Sequence, residues 1–168
     1  MNLEDIMMQI TEERGKQLED INRWIEEFNE DKIRGTLTIG IGTNAARNFD
    51  ILMRNLLEYY CNLCNEDHND YIPSNMKGKP INKYSLGQVE LCFRSMSSIF
   101  SQVIKGGYNR FPDDQLLAKL KKIIKIRNSI QHPGGYGKNL EKLESDIVYM
   151  LILIKELLQS NFFCGAEN

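Results

Sequence analysis

Arg127 and His132 are the two side chains in this sequence best placed to do chemistry on an anion. They open and close the run Arg127-Asn128-Ser129-Ile130-Gln131-His132. An arginine presents a planar fork of N–H donors that fits two oxygens of a phosphate. A histidine titrates near neutrality, so it can take or give a proton under ordinary conditions. Asn128 adds an amide between them, and Lys121, Lys122 and Lys125 add charge on the preceding turns. The only other histidine, His68, has no arginine at a comparable distance.

The segment that positions these groups reads as a helix. Leu116, Leu117, Leu120, Ile123 and Ile124 recur at helical spacing behind Asp113, a suitable N-cap. On a wheel of 100° per residue, Arg127 falls near the middle of the apolar stripe and Asn128 falls on a polar strip with Lys121 and Lys125. A cation on the core side has three explanations: a carboxylate from another helix, an outward path along a groove, or a cleft that takes an anion. An ideal helix would set Arg127 and His132 about 140° apart. For both to reach one phosphate, the chain must leave helical geometry near Gln131. Pro133 favours that departure, and Gly134-Gly135 follow it.

Four more helices are expected. The first spans about Leu3 to Phe28, with Leu18, Ile21, Trp24, Ile25 and Phe28 on one stripe. The second runs from Ala45 to about Leu63, the third from Ser85 to Gly106-Gly107, and the fifth from about Leu140 to Gln159. Ser85 and Gln88 form a capping-box pattern at the start of the third. Residues 35–43 alternate apolar and small side chains and read as a short strand or extended connector. Their Gly40-Ile41-Gly42-Thr43 lacks the lysine and glycine spacing of a phosphate loop. Residues 65–84 read as a long loop and residues 160–168 as a tail. The expectation is one all-α domain over residues 1–168, a bundle of about five helices.

Composition sets the outer limits. An apolar share of 42% and a charged share of 26% are ordinary for a globular domain. The longest apolar run, Ile147 to Ile154, is too short to cross a bilayer, and the acidic start is unlike a secretory signal. The cytoplasm is the expected compartment, with no membrane partner. Cys61 and Cys64, with His68 nearby and Cys92 on another helix, offer half of a zinc site. They equally fit an amphipathic helix as small buried residues, so no metal or cofactor is expected. Net charge is only −2, but it is unevenly distributed. Residues 1–31 carry ten acids against three bases, whereas residues 119–142 carry seven bases against Glu141 alone. Such a basic segment can receive a polyanion or can simply be a solvated face.

The run from Arg127 to His132 resembles the signature of the HEPN superfamily: arginine, a polar residue that is often asparagine, then histidine after a total gap of four to six. The helix ahead, the helix-ending proline behind and the five-helix reading are similar to that superfamily. The resemblance implies a metal-independent endoribonuclease, a toxin or antiviral defence effector with RNA as substrate. His132 would move protons, Arg127 would steady the phosphorane, and Asn128 would orient the histidine or the ribose. Lys121, Lys122 and Lys125 would guide the RNA backbone, and Tyr136 would be the one nearby aromatic suited to stacking. It also implies a homodimer formed through the fourth helix and the motif, and a regulatory partner such as an antitoxin. Many HEPN domains are non-catalytic, and the alternative implied is a module that binds a nucleotide or a partner protein.

Overall fold

The computed structural model describes residues 2–104, 107–132, 136 and 138–164, and among them every regular element is helical. The helices are α1 (Leu3–Asn29), α2 (Thr36–Cys64), α3 (Leu86–Ser95), α4 (Ser97–Val103), α5 (Asp114–Gln131), α6 (Leu140–Leu158) and the single turn α7 (Asn161–Cys164). The all-α expectation holds. No described helix is long and apolar enough to cross a membrane.

The helix starts follow from their caps. Asn2 accepts from the Asp5 amide at 2.8 Å and Asp113 from Leu116 at 2.9 Å. Ser85 and Gln88 satisfy each other's backbone amides in the expected capping box. α2 is the central helix, and Phe49, Leu52, Met53, Leu56, Leu57 and Tyr60 along it are fully buried. α1, α3, α4, α5 and α6 all pack on it. α5 also packs along α6, whose Leu143, Ile147, Leu151, Ile154 and Leu158 face inward as the spacing requires. The acidic α1 packs chiefly on α2 and α6, away from the basic strip of α5.

Three sequence expectations need correction. Residues 36–43 are the first turns of α2, not a strand or connector. Gly35, with φ +64°, lets the chain turn into the helix. The small residues that mimicked alternation let two helices approach closely. A Cβ on Gly42 would lie 3.0 Å from Cδ1 of Ile147 and 3.3 Å from Cδ1 of Ile130. The third expected helix is two, broken at Met96 (φ −101°, ψ 8°). Residues 65–84 form a long connection between α2 and α3, in which three 3-10 turns (His68–Tyr71, Ser74–Met76, Ile81–Lys83) occur and Ile72, Met76, Ile81 and Tyr84 are buried. The expected tail begins with α7, whose Phe162 and Phe163 are buried and whose Phe162 carbonyl accepts from the Tyr60 hydroxyl at 2.7 Å.

Candidate functional site at the end of α5

The wheel puts Arg127 on the packed side of α5, and the structure supplies the anion that this position demands. Nε of Arg127 donates to Oδ2 of Asp50 on α2 at 2.8 Å. The Asp50 side chain is only 5% exposed and that of Arg127 21%. Of the three explanations open to Arg127, the carboxylate partner is the one realised. Burial holds the Asp50 carboxyl above its ordinary pKa despite the opposing pull of Arg127 and Arg54. Its second oxygen, Oδ1, has no hydrogen-bond partner among the described residues, so part of the desolvation cost stays uncompensated. The outer edge of the guanidinium points toward Asn128: Nη1 lies 3.4 Å from Oδ1 of Asn128. With Arg47 and Gln131, Asp50 and Arg127 line a small groove of about 230 Å³ between α2 and α5.

His132 is placed differently. α5 ends at Gln131, and His132 follows as its C-cap with φ −122° and ψ 67°. The departure from helical geometry therefore occurs where expected, while Pro133, Gly134 and Gly135 lie outside the described residues. His132 is exposed and lines a larger groove of about 760 Å³ between α5 and α6. Lys122, Lys125 and Asn128 contribute from α5. Lys142, Asp146 and Tyr149 contribute from α6, and Tyr136 from the connection. One carboxylate thus faces three lysines and a histidine, which makes the groove a natural receptor for an anion.

The expected convergence of Arg127 and His132 on one phosphate does not occur within a single chain. Leaving the helix at His132 carries the imidazole to the α6 side, while Asp50 keeps the guanidinium on the α2 side. Asn128 lines the α6-side groove and lies 3.4 Å from Nη1 of Arg127. Lys121 also departs from expectation. Its Nζ is 4.0 Å from Oε1 of Glu90 on α3, a carboxylate already paired with Arg94 at 3.1 Å. The lysines in the groove are Lys122, Lys125 and Lys142.

Tyr136 is in the groove, with its hydroxyl donating to Oδ2 of Asp146 at 2.8 Å. Burial, and then the hydrogen bond and charge of Asp146, push the phenol up to about 12. This bond ties the connection after His132 to α6. Asp50, Asp146 and Tyr149 were not picked out from sequence. A usable signal existed for Asp50, an acid inside the apolar run of the second helix that needed a cation as much as Arg127 needed an anion.

The sulfur groups sit elsewhere. Cys61 and Cys92 are buried and Cys64 is half-buried. Cys61 lies 3.9 Å from the sulfur of Met96, and burial pushes the thiols of Cys61 and Cys92 up to about 12. His68 packs edge-on against Tyr84. Among the described residues no three histidine, cysteine or acidic side chains are grouped to hold a metal ion.

Comparison with protein-family models, with curated proteins and with solved structures finds no match for this chain.

Proposed function

We propose that the protein is a metal-independent endoribonuclease whose working site is completed by a second copy of the chain. The observation carrying this reading is the groove between α5 and α6, where His132 and Asn128 stand among Lys122, Lys125 and Lys142. The ribose 2′-hydroxyl attacks the adjacent phosphorus and its proton passes to an imidazole. The P–O5′ bond then breaks, and a second imidazole protonates the leaving oxygen. The products are a 2′,3′-cyclic phosphate and a 5′-hydroxyl. One His132 cannot stand on both sides of the same phosphorus, so two motifs facing across a two-fold axis supply the base and the acid. Asp50 fixes one edge of Arg127 and leaves the edge beside Asn128 to steady charge on the phosphorane. In this reading the protein acts in the cytoplasm as a toxin or defence effector restrained by a regulatory partner such as an antitoxin.

A second reading has its own observation. The buried Arg127–Asp50 pair is a sound structural clamp, and it suits a non-catalytic module that uses the cationic groove to bind a nucleotide or a partner protein. Incubation of the purified protein with mixed RNA in EDTA separates the two. Cleavage leaving cyclic phosphate ends is expected, and His132→Ala should lower its rate by about 10²- to 10⁴-fold. Arg127→Lys, which keeps a cation on Asp50 but loses the fork, should also be slow while remaining folded. No cleavage, or cleavage indifferent to His132→Ala, leaves the binding module as the function.

A further inference from the structure

The groove that holds His132 combines cations with an open aromatic ring. Lys122 and Lys125 on α5, with Lys142 at the start of α6, line it with cations, while Tyr149 stands on the α6 side. Tyr149 is 43% exposed, although the same helix buries Leu143, Ile147, Met150 and Leu151. It takes part in no hydrogen bond or ring contact among the described residues. Tyr136, the aromatic expected to stack, is half-buried with its hydroxyl committed to Asp146. Of the two tyrosines in the groove, Tyr149 therefore has the free ring.

We propose that Tyr149 is a base-stacking residue that makes this groove selective for unpaired ribonucleotides. The proposal rests on the RNA reading above and adds the form of RNA. A row of lysines attracts any nucleic-acid backbone, duplex or single-stranded, and so supplies no choice between them. An open aromatic ring beside that row takes a base only once the base has left its helix. The groove, at about 760 Å³, lies within the roughly 300–1,000 Å³ of ligand-sized clefts. Tyr149 thus supplies the discrimination, and Lys122, Lys125 and Lys142 the attraction.

The test is fluorescence anisotropy with 2′-O-methyl oligonucleotides of about twelve residues, which bind without being cleaved. Three probes are compared: the single strand, the same strand annealed to its complement, and an abasic strand of equal charge. Wild-type protein is expected to favour the single strand over the other two. Tyr149→Ala should weaken single-strand binding about tenfold and leave abasic binding unchanged, whereas Tyr149→Phe should retain the wild-type preference. Lys125→Ala should weaken all three probes together and flatten the salt dependence. Equal single-strand affinity in wild type and Tyr149→Ala overturns the proposal while leaving the RNA reading intact. So does a change in sedimenting mass on Tyr149→Ala, which assigns the ring to a subunit interface instead. Failure of the wild-type protein to bind any probe overturns both.

Discussion

At the scale of single residues, a guanidinium anchored through Nε to a buried carboxylate has little of the freedom of a surface arginine. Asp50 and Arg127 hold each other in place, and neither has a second described partner of opposite charge within ion-pair distance. Asp50→Ala strands the cation and is expected to lower stability by about 2–3 kcal/mol, while Asp50→Asn keeps an acceptor and should cost about half as much. Urea unfolding midpoints measure both, and wild-type stability in Asp50→Ala would show the pair to be incidental. Tyr136 gives a pH-dependent counterpart. Its phenol is raised from 10.0 to about 12 in the fold, so the folded state holds the proton more tightly than the unfolded chain. The stability from the Tyr136–Asp146 bond is therefore fully present below pH 10.0 and is lost as pH rises toward about 12. Tyr136→Phe should be less stable than wild type at neutral pH, with the gap closing in alkali; a gap constant with pH contradicts this assignment. The inward position of Arg127 was legible in the sequence because helical period fixes direction. The identity of its partner was not, because Asp50 is brought to it by packing between helices remote in the chain.

At the scale of elements, α2 comes close to both α5 and α6 at Gly42. Its hydrogen stands where any side chain would press on Ile147 and Ile130. Gly42→Val is expected to destabilise the bundle by about 1–3 kcal/mol through overpacking, and Ile147→Val in the same chain should recover part of that loss. Additive losses in the double variant would show the contact to be loose enough to absorb a branched side chain. The same glycine explains why residues 35–43 read ambiguously. Alternating small and apolar residues satisfy both a period of two and a helix grooved for close contact, and only the neighbouring helices decide between them. The caps at Asp113 and Ser85 and the inward face of α6 were legible because they are local or strictly periodic. The break at Met96 was not, since neither glycine nor proline marks it. Residues 65–84 looked loose by composition, yet four separated apolar side chains fasten them to the core.

At the scale of the whole molecule, Arg127 and His132 line separate grooves, so the proposed cleavage would need more than one chain. Specific activity is expected to fall on dilution in parallel with the loss of dimer seen by sedimentation. A specific activity independent of concentration, in protein that sediments as a monomer, would contradict the two-copy site. Fold class and the cationic end of α5 were readable at this scale, because both follow from composition and period. How the grooves divide Arg127 from His132 was not, because it depends on where one helix end meets two others.

The bond between Tyr60 and the Phe162 carbonyl joins positions 102 residues apart, and Phe93, Phe100 and Phe111 surround the same ring. Helices α1 to α6 can each form from nearby residues as the chain is synthesised, but this aromatic cluster stays unfinished until residue 163 has left the ribosome. A released chain that ended at Ser160 would therefore form a nearly complete bundle with Tyr60 and its neighbours open to water, a surface that chaperones and proteases are equipped to find.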